Sequence, residues 1–310
     1  MACATPFSGI TPWTPDELAA RPACPVCGNA AAQAVTRRCD GLTVRECAGC
    51  ESLFVDPAPD DAALARCYDR DYYTGRSHER FRIGYETPRD GSAAPLGYAE
   101  IASSLEIGGK SILEIGCANG ALLAKLRAHN PARVVGIDIS EHAVERGHIA
   151  YGLDLRCGTL ERGGVAAERF DLVVMIDVIE HLREPREFFA AAARCVARGG
   201  AMFLTTPNAL AARPAGPGWP YLDRALEHMV YFSARGLAAL ASINDLTAER
   251  IWSEGLPTRL RDYRRVDAPR PLRIAAEPLT ALSNGWRRLK FRSAAAQGYG
   301  LELRAILRRQ

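Results

Sequence analysis

The sequence contains no apolar run long enough to cross a membrane. No window approaches 18 consecutive apolar residues, so we expect no transmembrane helix. The N-terminal stretch MACATPFSGITPWTP lacks a basic start followed by an apolar run, so we expect no secretory signal and a cytoplasmic location. Hydrophobic residues make up 48% and charged residues 24%, which excludes a disordered chain, a collagen-like repeat and a coiled coil. The length of 310 residues predicts about two domains, or one elaborated α/β domain.

Net charge is also small, and +3 for the whole chain indicates no particular partner. The charge is uneven, since residues 250–310 hold 14 Lys and Arg against 5 Asp and Glu. Such a segment suits a phosphate, a nucleic acid or an anionic membrane surface, and it equally suits a solvated arginine-rich exterior. Within it, Trp286, Leu289 and Phe291 stand beside basic residues and could form a membrane-surface or dimer helix, so an oligomer stays possible.

Four of the ten cysteines have the spacing of metal ligands. Cys24 and Cys27 form one C-x2-C pair, and Cys47 and Cys50 form a second. Each pair aims two thiolates at one ion, so together they predict a closed, structural Zn²⁺ site. Short strands over 33–38 and 42–46, joined at the turn sequence Asp40-Gly41, predict a hairpin between the pairs. This layout is typical of a zinc ribbon.

From about residue 96, short apolar strands alternate with helical patterns, which predicts a parallel α/β sheet. The predicted strands are Ser111–Ile115, Arg133–Asp138, Asp154–Cys157, Phe170–Ile176, Ala201–Thr205, Ala248–Trp252 and Gly300–Leu307. The predicted helices are Ala121–Ala128, Glu141–Tyr151, Glu184–Ala197 and Ser233–Ala241.

A glycine loop follows the first of these core strands. The string from Glu114 to Gly120 has the spacing E-x-G-x-x-x-G and leads into a helix, where backbone N–H groups can approach a ligand closely. The spacing departs from the dinucleotide fingerprint G-x-G-x-x-G. The next strand ends at Asp138, where a carboxylate can accept hydrogen bonds from ribose hydroxyls.

Taken together, these features resemble the class I S-adenosylmethionine-dependent methyltransferases. The resemblance covers about residues 110–250 and rests on the glycine loop, Asp138, and the strings Phe170-Asp171-Leu172-Val173, Ile179-Glu180-His181-Leu182 and Thr206-Pro207-Asn208. The four-cysteine segment resembles the N-terminal extension of a subgroup often found in glycan and natural-product pathways. The implied fold is a Rossmann-like, seven-stranded α/β methyltransferase core with a small N-terminal four-cysteine zinc ribbon.

The resemblance implies S-adenosylmethionine as cofactor. Glu114, Gly116 and Gly120 would shape the loop around its methionine part, and Asp138 would hold the ribose. Thr159 stands where the family commonly has an acidic residue beside the adenine. Tyr73, with Tyr72, matches tyrosines that approach the carboxylate end of the cofactor, or else anchors the extension. The full set of expected cofactor residues is Tyr73, Glu114, Gly116, Cys117, Asn119, Gly120, Asp138, Ile139, Thr159, Leu160, Asp177 and Val178.

Two histidines are candidates for the acceptor side. His181 or His228 could act as the base that a hydroxyl acceptor needs. Asp177, Glu180 and His181 have the spacing i, i+3, i+4, so they share one face if the segment is helical. The same pattern resembles divalent-metal sites of ubiquinone-pathway O-methyltransferases and small-RNA 2′-O-methyltransferases. It would favour Mg²⁺ or Mn²⁺ here, with His228 as a further ligand. A purely structural role for Glu180 and His181 in the turn is the other alternative.

We therefore expect three parts: a ribbon extension over 1–59, a helical linker or lid over 60–95, and a methyltransferase core over 96–310 with insertions at 208–231 and 255–297. Trp219 and Tyr221 of the first insertion could stack on an acceptor ring or simply pack. The expected function is O-methylation of a sugar or a natural-product small molecule. One alternative is an RNA methyltransferase that contacts RNA through the ribbon, although residues 21–56 carry four arginines against four acidic residues. The other is a non-catalytic ribbon interaction module on a degenerate core.

Overall fold

A computed structural model of the chain describes residues 13–38, 40–65, 95–212, 219–223, 227–254, 298 and 300–310. Several predicted features lie outside these residues. They are most of the linker 60–95 with Tyr72 and Tyr73, the middle of the insertion 208–231, and the insertion 255–297 with Trp286, Leu289 and Phe291. They stay predictions, as do the three part boundaries.

The described strands, in chain order, are β1 Leu18–Ala19, β2 Ala32–Arg37, β3 Thr43–Cys47, β4 Leu53–Val55, β5 Ala58–Pro59, β6 Ser111–Ile115, β7 Arg133–Asp138, β8 Asp154–Cys157, β9 Phe170–Ile176, β10 Val196–Pro207, β11 Val230–Tyr231, β12 Leu246–Glu254 and β13 Glu302–Arg309. The described α-helices are α1 Asp61–Ala65, α2 Tyr98–Ser104, α3 Ala121–Leu126, α4 Glu141–Tyr151, α5 Pro185–Cys195, α6 Pro220–Asp223 and α7 Ala234–Ser242. The predicted core strands and helices are all present, with ends shifted by a few residues.

The core of the described part is one seven-stranded sheet with the order β12-β13-β10-β9-β6-β7-β8. Strands β10, β9, β6, β7 and β8 pair in parallel, and β13 runs antiparallel to both β10 and β12. The chain moves outward from β6 to β8 on one side and from β9 to β10 on the other. Ligands of such sheets bind beyond the carboxyl ends of the strands where the order reverses, here at β6 and β9. The predicted α/β class and seven-stranded core are confirmed.

The parallel strands are apolar because helices cover both faces of the sheet. In β9, Leu172, Val173, Val174 and Met175 are all buried. Helix α5 begins at Pro185, which suits a first helical position, and its Phe189 is completely buried against the sheet. Because both faces of the sheet are covered, side chains can reach a ligand only at the ends of the strands. The candidate functional side chains therefore lie at the carboxyl ends.

The N-terminal segment forms a second sheet, with the order β11-β4-β3-β2. Strands β2 and β3 form the predicted hairpin, whose turn is closed by N–H groups of Arg38 and Gly41 bonded to the carbonyls of Leu42 and Arg38 at 2.9 and 3.0 Å. The edge strand β11 comes from the first insertion, almost 200 residues later, and pairs antiparallel with β4. The ribbon sheet is therefore completed by the segment that follows His228.

Among the described helices, none combines the length and the apolar character needed to span a bilayer.

Candidate cofactor and acceptor site

The loop after β6 adopts a left-handed backbone at three positions. Gly116 and Gly120 have φ of 74° and 73°, and Ala118 between them has φ of 47°. A Cβ at Gly116 would lie 2.4 Å from Cγ2 of Val178, so a side chain at that position would collide. The glycine is required because the loop packs directly on the turn that follows β9. The loop after β6 and the turn after β9 are thus in direct contact.

Asp138, at the end of β7, holds this loop in place. Its Oδ2 accepts a hydrogen bond from the backbone N–H of Ala118, and its Oδ1 accepts one from Ser140, each at 2.8 Å. The residue is only 8% exposed. Each carboxylate oxygen has a second lone pair, so the group can still accept bonds from ribose hydroxyls. The structure therefore adds a loop-anchoring role that the sequence did not indicate.

Glu114 lies beneath the loop, completely surrounded by protein. Its carboxyl group accepts a hydrogen bond from the N–H of Leu123, in the first turn of α3, where Gly120 offers no side chain as a cap. Its Oε2 has no hydrogen-bond partner among the described residues. Burial and the nearby carboxylate of Asp138 raise the pKa of Glu114 well above its usual value. This side chain shapes the loop from inside.

The other expected cofactor residues divide into exposed and internal ones. Ile139 is 57% exposed, an unusual state for a large apolar side chain, and Thr159 is exposed nearby after β8. Leu160 and Cys117 are buried, so they support the site from below. The side chain of Asn119 accepts a hydrogen bond from Ala121 N–H at the start of α3. Tyr73 lies outside the described residues.

The turn after β9 carries the acidic residues predicted for the acceptor side. Asp177 has a left-handed backbone with φ of 51°, and the short helical turn begins only at Ile179. Its Oδ1 accepts a 2.7 Å hydrogen bond from Oγ1 of Thr205 on β10. The helical turn covers only Ile179–His181, so the condition for the i, i+3, i+4 alignment, a helix that includes Asp177, is not met.

Glu180, His181 and His228 do come together. One possible ligand atom from each lies within 4.8 Å of those of the other two. The rings of His181 and His228 are 4.6 Å apart at an interplanar angle of 83°, and Nε2 of His181 is 3.9 Å from Oε1 of Glu180. The opposite carboxyl oxygen of Glu180 accepts a 2.9 Å bond from Thr206. The C-terminal end of β10 thus fixes this carboxyl group.

Burial dominates the electrostatics of this cluster. It lowers the pKa of His181 to about 4, and burial with the neighbouring His181 and Arg38 lowers that of His228 well below its usual value. Burial and Asp177 raise the pKa of Glu180 well above its usual range. Within the described part of the chain, Oε1 of Glu180 and Nδ1 of His228 have no hydrogen-bond partner. These two buried polar atoms are therefore available for hydrogen bonds to a ligand.

Aromatic side chains from the first insertion surround His228. Tyr221 stacks on its ring at 5.7 Å and 24°, and Tyr231 approaches it edge-on at 6.0 Å. Trp219 is fully buried against these tyrosines, so it packs and is not a stacking platform for a ligand. Glu302 on β13 accepts from the hydroxyl of Tyr221 at 3.5 Å, and burial followed by Asp177 raises its pKa to about 7. Sequence reasoning missed Glu302, because no local pattern distinguishes it.

The four predicted metal cysteines form a second, separate cluster. Their sulfur atoms all lie within 4.8 Å of one another, with Cys24 and Cys50 at 3.7 Å and Cys27 and Cys47 at 3.5 Å. None of the four is in a disulfide. The two turns match: Val26 N–H bonds to Cys24 Sγ at 3.4 Å, and Gly49 N–H bonds to Cys47 Sγ at 3.3 Å. The hairpin delivers both pairs to one point, as the spacing predicts.

Comparison with known proteins identifies the core. Residues 94–250, half of the chain, match a family model described as a methyltransferase domain. The chain belongs to this methyltransferase family. The prediction of a class I S-adenosylmethionine-dependent methyltransferase is confirmed at the level of the family.

Curated relatives of this methyltransferase include two named ubiquinone biosynthesis O-methyltransferase. The protein from Parvibaculum lavamentivorans is 38% identical over 104 residues, which are 31% of this chain and 40% of the relative. The protein from Hahella chejuensis is 34% identical over 123 residues, 37% of this chain and 50% of the relative. The chain thus spans half or less of the length of these curated relatives.

Solved structures similar to this methyltransferase include an S-adenosylmethionine-dependent methyltransferase from Mesorhizobium loti. It has a TM-score of 0.48 and 19% identity, over 71% of this chain and 99% of the other. The N-methyltransferase NodS from Bradyrhizobium japonicum, in complex with S-adenosylhomocysteine, has a TM-score of 0.42 and 18% identity, over 68% and 85% of the two chains.

Proposed function

We propose that the protein transfers a methyl group from S-adenosylmethionine to a hydroxyl group of a small molecule, such as a sugar or a natural product. The observation that carries the proposal is the contact between Gly116 and Val178, which joins the cofactor loop to the turn bearing Glu180 and His181. A methyl group presented at the loop would face the cluster of Glu180, His181 and His228. The named function of the ubiquinone-pathway relatives, O-methylation, has the same chemistry.

All of the expected cofactor residues except Tyr73 belong to the described part of the chain. The methionine part would lie on the loop Gly116–Gly120, and the ribose hydroxyls would bond to Asp138. The exposed Ile139 offers an apolar surface to the adenine ring, with Thr159 at its edge. Burying that isoleucine under an aromatic base is favourable because it removes apolar surface from water.

On the acceptor side, methyl transfer is an in-line displacement, so the protein mainly positions the acceptor oxygen behind the methyl group. The sulfonium sulfur leaves as the thioether of S-adenosylhomocysteine, and the hydroxyl loses its proton. As the new O–C bond forms, the hydroxyl becomes strongly acidic, so the neutral imidazole of His181 can take up its proton although burial lowers the pKa of this ring to about 4. Its Nε2 lies 3.9 Å from Oε1 of Glu180, so an imidazolium formed there would lower the raised pKa of this carboxyl group by Coulomb attraction.

The expected Mg²⁺ ion fits this cluster poorly. Mg²⁺ prefers an octahedral shell of oxygen ligands, whereas the grouped atoms are one carboxylate and two imidazoles, and Asp177 is bonded to Thr205 instead. Such a mixed set is closer to the preference of Mn²⁺ or Zn²⁺. No step above depends on an ion here.

The charge of the ribbon supports a small acceptor over RNA. Of its four arginines, Arg21 and Arg38 are buried, and Arg45 pairs with Asp56 at 2.8 Å. Only Arg37 remains exposed without such a partner among the described ribbon residues. A phosphate backbone needs several accessible cations, so this surface offers little electrostatic attraction for a nucleic acid.

We also propose one structural zinc ion on Cys24, Cys27, Cys47 and Cys50. In a tetrahedral site with Zn–S bonds of about 2.3 Å, the sulfur atoms are about 3.8 Å apart. The observed separations of 3.7 and 3.5 Å need almost no adjustment. N–H groups already donate to two of the sulfurs, as expected for thiolates. All four positions are protein ligands, so such an ion stabilises the ribbon and takes no part in catalysis.

The test of function is a turnover assay with S-adenosylmethionine and a panel of hydroxylated acceptors, namely nucleotide-linked sugars and phenols. We expect His181→Ala and His228→Ala to lower kcat by about 10²–10⁴-fold and to leave the affinity for S-adenosylhomocysteine nearly intact. His148→Ala, which changes an exposed histidine on α4, is the matched control and should match the wild type. Activity that EDTA abolishes and Mn²⁺ restores would assign the cluster to an ion. Full turnover in both variants would contradict the assignment of this cluster to the acceptor.

A further inference from the structure

A buried arginine of the ribbon reaches the acceptor cluster. Arg38 stands at the end of β2, and no part of its side chain is exposed. Its Nη1 donates a 2.6 Å hydrogen bond to the main-chain carbonyl of His228, 190 residues away. Its Nε and Nη2 donate to the carboxylate of Asp40, which also accepts from the indole of Trp13. Every nitrogen of the guanidinium is therefore used, and one is directed at the segment that carries the histidine.

The same short segment is fixed from two further sides. The N–H of Met229 donates to the carbonyl of Glu180 at 2.8 Å, and the carbonyl of Met229 accepts from Val55 of β4 at 3.0 Å. Three hydrogen bonds on two consecutive residues thus join the hairpin, the ribbon strand β4 and the turn after β9. The ring of His228 projects from the point where these elements meet.

The cost of burying Arg38 means that stabilisation of the fold alone does not explain this arrangement. Burying a guanidinium is costly, and a buried ion pair often stabilises a fold no more than apolar residues of similar volume do. The guanidinium group can hold its neighbours in fixed directions, because it is planar and rigid. One edge binds the carboxylate of Asp40, and Nη1 binds the carbonyl of His228. An apolar side chain would fill the space without holding His228.

We propose that Arg38 is a positioning residue for His228, and that the ribbon hairpin is thereby a wall of the acceptor site. The proposal rests on the proposed function for its catalytic consequence, but its structural content does not. The zinc ribbon would then contribute to the reaction by fixing the position of the His228 side chain.

Hydrogen exchange measured by mass spectrometry tests the structural content without any acceptor. In Arg38→Ala, loss of a charged hydrogen bond should accelerate exchange in residues 227–233 by about 10- to 100-fold, while residues 111–120 keep wild-type protection. Arg45→Ala is the matched control. The described hydrogen bonds of the Arg45 side chain go only to Asp56 and to the carbonyl of Ala32, both within the ribbon, so exchange in 227–233 should not change. Unchanged exchange in Arg38→Ala would overturn the proposal.

The catalytic consequence is tested by measuring kcat separately from cofactor affinity and metal content. Arg38→Ala should retain its affinity for S-adenosylhomocysteine and its metal content but lose about 10- to 100-fold in kcat, and Arg38→Lys, which keeps one charged donor, should recover part of it. Equal loss of kcat in Arg38→Ala and Arg45→Ala would overturn the positioning role. If Arg38→Ala fails to fold, Arg38→Lys carries the same comparison. Failure of methyl transfer in the wild type would contradict the proposed function. It would not affect the conclusion from hydrogen exchange that Arg38 holds the segment of His228.

Discussion

Replacing Asp138 by alanine tests the cofactor site, because this carboxylate has two roles that can be separated. It accepts two hydrogen bonds of 2.8 Å from backbone N–H groups, and we propose that it also binds the ribose. A hydrogen bond to a charged group contributes about 1.5–3 kcal/mol. Loss of the ribose contact alone therefore predicts a 10- to 150-fold weaker affinity for S-adenosylhomocysteine, measured by calorimetric titration.

Loss of the loop contacts adds to this effect. Without Asp138, the N–H of Ala118 has no anchor, and its left-handed backbone, which costs about 1–2 kcal/mol, can relax away from the binding conformation. We therefore expect Asp138→Ala to lose more affinity for S-adenosylhomocysteine than the ribose contact alone accounts for. The affinity of Asp138→Asn, which keeps one acceptor oxygen, should lie between those of Asp138→Ala and the wild type.

A 2′-deoxy analogue of S-adenosylhomocysteine separates the two roles. The wild type should bind the analogue more weakly than the parent compound, whereas Asp138→Ala should bind both equally, as in a double-mutant cycle. If the wild type does not distinguish the two ligands, Asp138 does not hold the ribose. If Asp138→Ala binds S-adenosylhomocysteine as tightly as the wild type, the whole assignment of the loop is refuted.

Three other expectations concern the ribbon and the core. Metal analysis should find about one zinc per chain, lost in the double variant Cys47→Ser and Cys50→Ser, and a zinc-free protein with a folded ribbon would refute the site. Because burial raises the pKa of Glu114, the folded state resists ionisation and loses stability as pH rises from the unfolded pKa through the folded one. The melting temperature of Glu114→Gln should therefore rise relative to that of the wild type as the pH rises above the usual pKa of a glutamate, and a difference that stays constant with pH would contradict this. Ser233→Ala removes the cap of α7 and a bond to the carbonyl of Cys50, so it should cost about 2–3 kcal/mol, against about 1 kcal/mol for the plain helix cap Ser140→Ala.

The sequence alone predicts the parts of the site that depend on short-range patterns. The glycine loop, Asp138 and the two cysteine pairs follow from spacing, because a turn or a strand end fixes side chains a few residues apart. The alignment of Asp177 with Glu180 and His181 fails because it assumes a helix, whereas the backbone of Asp177 is left-handed and its carboxylate turns to Thr205.

Contacts between distant segments are beyond such patterns. The bond from Arg38 to His228 joins residues 190 apart, and Glu302 reaches Tyr221 across 81 residues. In sequence, Arg38 is one of many arginines, and only its hydrogen bond to the carbonyl of His228 shows that it is the one that meets the acceptor cluster. The partnership between ribbon and insertion is set by tertiary packing, which no local residue pattern encodes.

The most direct test of the central claim is a structure of the protein with bound S-adenosylhomocysteine. We expect the homocysteine part on the loop Gly116–Gly120, the ribose hydroxyls on Asp138, and the sulfur facing His181 and His228 with space between them for an acceptor oxygen. A cofactor bound at another edge of the sheet, or a sulfur directed away from the two histidines, would contradict the claim.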